Sequence, residues 1–177
     1  MRFLFIVQGE GRGHLTQAIT FEEMLRRNGH EVVEVLVGKS SSRTLPGFFN
    51  RTIQAPVKRF LSPNFLPTAD NKRVNLTKSL IYNLIRLPEY IRSMRYINQR
   101  IRETEADVVI NFYELLTGLT YLLFRPSVPY VCIGHQYLFL HRDFDFPNKS
   151  AIQLRMLRLF TEMTAFRSVK KLALSFY

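Results

Sequence analysis

The most constraining feature of the sequence is a glycine-rich turn that directly follows a short apolar run. The apolar run is Phe3-Leu-Phe-Ile-Val7, and the turn is Gly9-Glu-Gly-Arg-Gly-His14. A short buried strand, a glycine-rich turn and the start of a helix are typical of α/β sites that bind phosphate or sugar groups. We therefore expect a β-α-β unit at the N-terminus, with a functional site at this turn.

Continuously apolar runs separated by helical patterns continue along the chain and indicate buried parallel strands. The predicted strands are residues 2–7, 31–37, 51–55, 107–112, 130–133 and 172–175. The predicted helices are residues 14–28, 76–87, 115–124 and 150–169, and one more that carries the apolar stripe Tyr90, Met94, Ile97 and Ile101. Residues 58–75 are predicted as a loop, with Asn75 capping the next helix. The pattern predicts an α/β fold, a Rossmann-like open parallel sheet with helices on both faces.

Length and composition exclude several classes of protein. A chain of 177 residues is long enough for one domain with its own core. Cys132 is the single cysteine, which excludes an intramolecular disulfide and a multi-cysteine metal site. Its apolar surroundings favour a buried structural thiol over a nucleophile. Because no apolar run is long enough for a secretory signal or a membrane-spanning helix, we predict a cytoplasmic protein.

Polar residues follow three of the predicted strands at the point where each strand ends. They are the turn from Gln8 to His14, the pair Tyr113-Glu114, and the pair His135-Gln136. The carboxyl ends of parallel strands lie at one edge of a sheet, and ligands of open α/β sheets bind there. The three segments are therefore expected to converge on one site.

Two nucleotide-binding motifs are excluded near the turn. The dinucleotide fingerprint Gly-x-Gly-x-x-Gly requires glycine where His14 stands, and an acidic residue after the second strand, which ends Val35-Leu-Val-Gly38. No cofactor is therefore predicted, and a nicotinamide-dependent oxidoreductase is a minor alternative. The sequence Gly38-Lys39-Ser40 resembles the end of a phosphate-binding P-loop, but Val33 occupies the position of the required earlier glycine.

His14 is the predicted catalytic residue of the turn. Glycines allow a ligand to approach the backbone and direct amide groups towards an oxyanion at a helix start. An imidazole has an unperturbed pKa near 6.5, which suits proton transfer at neutral pH. The alternative is a histidine that only fills the turn or caps the helix.

The order of these segments resembles the N-terminal half of a GT-B glycosyltransferase. The likeness is carried by the strand, the loop ending Gly13-His14, the helix ending Asn28-Gly-His-Glu-Val32 and the following strand. The later segment Val128-Pro-Tyr-Val-Cys-Ile-Gly-His-Gln136 is similar to a segment of the same group. This group includes the lipid-linked N-acetylglucosaminyltransferases and the UDP-glycosyltransferases.

The resemblance implies two Rossmann-like domains with the active site in the cleft between them. Residues 1–177 would be the N-terminal, acceptor-binding domain, and the C-terminal domain that binds the nucleotide sugar would be absent from this chain. The implied reaction is transfer of a sugar from a nucleotide-activated donor to an acceptor hydroxyl, inverting and metal-independent. The acceptor would be a lipid-linked or small molecule, and the chain alone would have little activity.

The resemblance also assigns roles to individual residues. His14 matches the loop histidine, a general base or acceptor-positioning group, and Gly11 and Gly13 match loop glycines near the donor phosphates. Arg12 departs from the family pattern, and it either neutralises a phosphate or is only solvated. Glu114 is expected to support the base. The remaining substrate-binding residues are His135 and Gln136, and no metal ligand is implied.

The net charge of +11 indicates an anionic partner, with a solvated basic surface as the alternative. Between residues 58 and 103 there are ten basic and three acidic residues, interleaved with apolar ones. In relatives with lipid acceptors this region faces the membrane, so the inner membrane surface is a second predicted location. The rival function is a non-catalytic Rossmann-like module that binds anionic membrane or nucleic acid. No nucleic-acid recognition module is visible, so nucleic acid is not expected as a partner.

Overall fold

The computed structural model describes residues 1–40, 44–64, 76–144 and 151–174. Its centre is a sheet of six parallel strands in the order β3-β2-β1-β4-β5-β6. The strands are β1 (Arg2–Gln8), β2 (Glu31–Lys39), β3 (Val57–Leu61), β4 (Val108–Phe112), β5 (Tyr130–Ile133) and β6 (Lys170–Leu172). The helices are α1 (Arg12–Arg27), α2 (Gly47–Thr52), α3 (Leu76–Ile85), α4 (Leu87–Glu103), α5 (Leu115–Phe124) and α6 (Ala151–Thr164), and a 3-10 helix spans His135–Leu140.

Side chains of successive strand residues point to opposite faces of the sheet, so both faces of these apolar strands need cover. Helices provide that cover on both faces. On one face, Leu4 and Ile6 of β1 join a core with the predicted stripe of α4, all of it buried. On the other face, Phe5 and Val7 join a core with Leu15 of α1 and other residues of α1 and α2. The predicted Rossmann-like open parallel sheet is thus confirmed.

The first β-α-β unit follows directly from local sequence signals. Asn28 ends α1, and Gly29 follows with a φ of 73°, a left-handed conformation that glycine adopts without strain. The amides of Gly29 and His30 donate to the carbonyls of Arg26 and Leu25, which closes the last turn of the helix. The chain then enters β2, which pairs with β1 in parallel.

Three predicted elements differ from the structure. The strand predicted at 51–55 is wrong: α2 continues to Thr52, and the strand begins after Pro56, inside the segment predicted as a loop. The last strand, β6, lies two residues earlier than predicted, and the predicted helix at 150–169 ends at Thr164. The predicted cap Asn75 lies outside the described residues. Cys132 is buried in β5 as predicted, and burial raises its pKa.

The strand order places the site at the centre of the sheet. From β1 the chain winds outwards to β2 and β3, then returns to β4 on the other side of β1. The point where the order reverses lies between β1 and β4, and ligands of open α/β sheets bind outside the strand ends at such a point. Within the described residues, no helix is long and apolar enough to cross a membrane.

Gly118 of α5 is a position where the packing of two helices leaves no space for a side chain. A Cβ atom there would overlap with the backbone carbonyl of Met163 in α6. We expect Gly118→Ala to lower the free energy of unfolding by about 1–3 kcal/mol, the usual effect of overpacking. Gly13→Ala is the matched control, because nothing lies within 4 Å of its Cβ position. Equal unfolding midpoints in urea for both variants would contradict this packing.

Candidate functional site

The glycine-rich turn is attached to the end of β2 by backbone contacts. The amide of Gly9 donates to the carbonyl of Gly38 at 2.7 Å, and the amide of Ser40 donates to Oε1 of Glu10 at 2.6 Å. A Cβ atom on Gly9 would lie 2.7 Å from Cγ1 of Val37, so this position requires glycine. These contacts hold the turn against the carboxyl edge of the sheet.

The next two glycines of the turn are open rather than crowded. A Cβ on Gly11 would lie 3.8 Å from both Oε1 of Gln8 and Cδ2 of His14, and one on Gly13 would touch nothing within 4 Å. Gly11 is the N-cap of α1 and has an extended φ of −109°, and no side chain caps the helix. Arg12 is exposed. The first amides of α1 therefore face open space beside a cationic side chain.

His14 is enclosed although it stands at the start of a helix. It is only 5% exposed, and its ring is nearly parallel to those of Tyr113 and His135, with centroids 5.6 Å and 6.1 Å away. Burial, with a smaller contribution from the nearby His135, lowers the pKa of His14 from 6.5 to about 4. The ring is therefore neutral at pH 7. It makes no capping hydrogen bond, so the alternative of a capping histidine is not realised.

Two glutamine side chains contact the histidine pair. Nε2 of Gln136 lies 3.1 Å from Nε2 of His14, and Nε2 of Gln17 lies 3.5 Å from Nδ1 of His135. The structure thus brings together three of the predicted site residues. His14 follows β1, and His135 and Gln136 follow β5, on the other side of β4. Gln17 was not predicted, although it stands three residues after His14 in a helix and so shares its face.

Glu114 lies beside this cluster and has its own set of partners. Its Oε1 accepts from the hydroxyl of Ser62 at 2.5 Å and from the amide of Leu116 at 3.1 Å, which makes it the N-cap of α5. Its Oε2 has no hydrogen-bond partner among the described residues and packs on Gly38, where a Cβ would overlap with it. The side chain has no exposed surface, and burial raises its pKa to about 7. Its hydrogen bonds do not include His14, the residue that it was expected to support.

A largely apolar cleft of about 360 Å³ opens next to Tyr113 and Glu114. Most of its polar groups are already paired: Tyr90 donates to Oδ1 of Asn83 at 2.8 Å, and Asn83 donates to the carbonyl of Asn64 at 3.0 Å. Gln8, which ends β1, also lines the cleft. The other lining residues are mostly apolar, including Leu84, Leu87, Met94, Leu119, Phe160 and Met163.

Gln8 was included in the predicted turn without a role of its own. Its side-chain oxygen and Cδ2 of His14 both lie 3.8 Å from the Cβ position of Gly11. Gln8 therefore lines the apolar cleft and also lies close to the start of α1, the helix that carries His14. The only sequence signal was that Gln8 is the first polar residue after a buried strand.

No group of three or more His, Cys, Asp or Glu residues in the described ranges could hold a metal ion. The sequence contains an Asp-x-Asp at residues 143–145. Asp143 is exposed, and its Oδ2 lies 3.8 Å from Nδ1 of the exposed His141. Asp145 is outside the described residues.

The opposite pKa shifts of His14 and Glu114 predict opposite effects of pH on stability. Between pH 4.5 and 6.5 the unfolded chain binds more protons than the folded chain at His14, and fewer at Glu114. Stability contributed at His14 therefore rises with pH in this window, and stability contributed at Glu114 falls. In the wild type the two slopes oppose each other.

We expect Glu114→Gln to gain stability from pH 4.5 to 6.5 relative to wild type, and His14→Gln to lose it, each by about 2–3 kcal/mol. Urea unfolding at several pH values measures both slopes. His141→Gln is the control, because this histidine is exposed and should leave the profile unchanged. Parallel profiles for all four proteins would contradict the assigned pKa shifts.

Comparison with solved structures finds several proteins of similar structure. UGT2 of Phytolacca americana, complexed with UDP-2-fluoro-glucose and pterostilbene, is 12% identical with a TM-score of 0.54, over 92% of this chain and 44% of that one. UGT89C1 of Arabidopsis thaliana, complexed with UDP, is 15% identical with a TM-score of 0.49, over 100% and 46%. The calicheamicin glycosyltransferase CalG4 is 15% identical with a TM-score of 0.46, over 92% and 43%. The chain thus spans less than half the length of each of these proteins.

No curated protein sequence matched the chain. The family model described as glycosyl transferase family 1 matches residues 1–177, the whole chain. The open parallel sheet has the Rossmann-like fold of the matching part of Phytolacca americana UGT2, as the sequence resemblance implied. The chain belongs to glycosyl transferase family 1.

Proposed function

We propose that this chain is the acceptor-binding half of an enzyme that transfers a sugar from a nucleotide-activated donor to a hydroxyl group. The observation that carries the proposal is a buried, neutral histidine at the reversal point of the sheet, next to an apolar cleft. A donor-binding domain outside residues 1–177 would complete the site. The rival, a non-catalytic binding module, gives no reason for this enclosed imidazole.

His14 is the proposed general base. Glycosyl transfer with inversion requires removal of the proton from the attacking hydroxyl while the diphosphate leaves from the opposite face. Because burial keeps the pKa of His14 near 4, the imidazole holds a free lone pair at neutral pH. Stacking against Tyr113 and His135 keeps the ring in one orientation. Both features support an inverting mechanism.

The apolar cleft is the proposed site of the acceptor. Its polar lining groups are largely satisfied by each other, so an apolar molecule would leave few of them unpaired. Gln8 lines the cleft and lies close to the start of α1, and its amide would hold the acceptor hydroxyl there. A lipid-linked acceptor or a small apolar alcohol fits this arrangement. Glu114 would act indirectly, by holding Ser62 and the start of α5.

The start of α1 is the proposed contact for the donor diphosphate. The amides after Gly11 are uncapped, Gly13 leaves space for a ligand, and Arg12 adds a positive charge. UGT2 of Phytolacca americana is complexed with UDP-2-fluoro-glucose, which supports a nucleotide sugar as the donor. Amides and a guanidinium would offset the charge of the leaving group without a metal ion or other cofactor.

We expect His14→Ala to lower turnover at least about a hundredfold in the protein that carries both halves, because the general base is lost. The measurement is the steady-state rate with a nucleotide sugar and a hydroxyl acceptor. His141→Ala, at an exposed position, is the matched control and should keep the wild-type rate. Near-wild-type turnover of His14→Ala would assign His14 a purely structural role. Robust turnover by residues 1–177 alone would contradict a donor half outside the chain.

A second proposal concerns the inner membrane surface as a docking site. Apolar side chains at the junction of α3 and α4 are exposed, including Ile81, Leu84, Ile85, Leu87 and Ile91. Arg92 and Arg95 are exposed on α4 beside them. An apolar patch bordered by arginines is complementary to an anionic leaflet. Because Leu84 and Leu87 also line the cleft, an acceptor embedded in the membrane would enter from this side.

We expect Ile85→Glu to weaken binding to phosphatidylglycerol-containing vesicles about tenfold, because Ile85, at 75%, is the most exposed of these apolar side chains. Cosedimentation with vesicles measures the effect. Leu123→Glu is the matched control, since Leu123 is 61% exposed on α5 but outside the patch. Equal losses for both variants, or no binding by wild type, would reject the membrane proposal.

A further inference from the structure

Gln17 belongs to the His14 cluster and has no role in the proposed reaction so far. It follows His14 by three residues in α1, so the two side chains lie on the same face of the helix. Its amide nitrogen lies 3.5 Å from Nδ1 of His135. The oxygen of the same amide, Oε1, is buried and makes no hydrogen bond within the described residues.

The Nδ1 atom of His14 is buried and unpartnered in the same way. The neighbouring Gln17 side chain raises the pKa of His14 and so opposes the effect of burial. A bond that stabilises the protonated ring is donated by the ring, and the acceptor in a glutamine side chain is the oxygen. Nδ1 of His14 and Oε1 of Gln17 are thus two unpartnered atoms on side chains of the same helix face, and a bond donated by the ring would pair them.

The opposite edge of the His14 ring faces the acceptor side of the site. Cδ2, which is bonded to Nε2, lies 3.8 Å from the Cβ position of Gly11, as does the Gln8 amide. Nε2 itself lies 3.1 Å from the amide nitrogen of Gln136, which can only donate. A neutral imidazole carries one proton, so a lone pair on Nε2 requires the proton on Nδ1.

We propose that Gln17 is a positioning residue, whose side-chain oxygen holds the proton of His14 on Nδ1 and leaves Nε2 as the basic atom. The proposal rests on the proposed function for its use in catalysis, but the position of the proton is a property of the protein alone. Gln136 occupies the Nε2 lone pair until an acceptor hydroxyl takes its place. Gln17 thus takes the role that was expected of Glu114.

A neutral amide and a carboxylate differ in what they do to the histidine. A carboxylate beside Nδ1 would favour the protonated ring and raise its pKa. The titratable groups that face His14 are His135 on the 3-10 helix and Tyr113 after β4, and neither is an anion at neutral pH. Glu114 is directed to Ser62 and α5. The amide of Gln17 therefore orients the ring while leaving it uncharged.

The position of the proton can be measured by ¹H–¹⁵N NMR of histidine-labelled protein at pH 7, because a protonated and a bare ring nitrogen have different shifts. The chain has four histidines, so His14 is assigned by its loss in His14→Gln. In wild type we expect the proton on Nδ1. In Gln17→Met, which keeps the length of the side chain but has no oxygen, we expect a large share of the Nε2-protonated form.

Two further variants complete the test. Gln17→Glu should keep the proton on Nδ1 and raise the pKa of His14 from about 4 towards 6.5. Gln99→Met, at an exposed glutamine of α4, is the matched control and should leave the His14 signals unchanged. A proton on Nε2 in wild type, or the same tautomer in Gln17→Met as in wild type, would overturn the proposal.

Kinetics separate the positioning role from the proposed function. If the proposed function and the positioning role of Gln17 both hold, Gln17→Met lowers kcat about tenfold with little change in KM. Gln17→Glu then restores kcat but moves the acid limb of the pH profile to higher pH. Full activity of His14→Ala would reject His14 as the base, while the tautomer measurement would still decide the role of Gln17. An active enzyme in which Gln17→Met has normal kcat and tautomer would reject only the role of Gln17.

Discussion

The carboxyl edge of the sheet depends on a close approach at Gly38. Its carbonyl accepts the amide of Gly9 from the glycine-rich turn, and its α-carbon packs against the carboxyl group of Glu114. These contacts join the ends of β2, β1 and β4, the three strands around the reversal point of the sheet. Any side chain at position 38 would overlap with Glu114. Gly38, which has no side chain, therefore holds together the glycine-rich turn, the N-cap of α5 and the base of the cleft.

Burial disfavours the charged forms of His14 and Glu114 at this edge, although the chain as a whole is strongly basic. His14 and Glu114 have opposite pKa shifts with the same cause, since a low-dielectric environment disfavours the charged form of either group. The net charge of +11 is carried elsewhere, partly on exposed arginines of α4. A neutral, enclosed imidazole next to an apolar cleft suits proton transfer from a hydroxyl. The exposed arginines suit attraction to an anionic surface.

Elements with a strong local pattern were predicted well. The apolar stripe of α4 is buried as predicted, and α5 and β5 have the predicted bounds, because their burial follows from a regular period along the chain. The strand at 51–55 was wrong because Ile53 and Ala55 are buried as an irregular connection after α2, not as part of the sheet. The amides of Gln54 and Ala55 donate to Glu22 of α1 rather than to a neighbouring strand. Such a contact between distant segments leaves no local periodicity in the sequence.

The sequence by itself determined the class of fold and the position of the candidate site, because apolar periodicity, glycine turns and the polar ends of strands are local properties. It also singled out His14, His135 and Gln136, which meet because they follow β1 and β5, the strands on the two sides of β4. Only the tertiary structure decided the partners. Glu114 bonds to Ser62, 52 residues earlier, and Gln17 is directed to the histidines. Hydrogen-bond pairing and burial depend on which distant residues meet, so the pKa of His14 and the tautomer that sets its basic atom are decided by the folded chain.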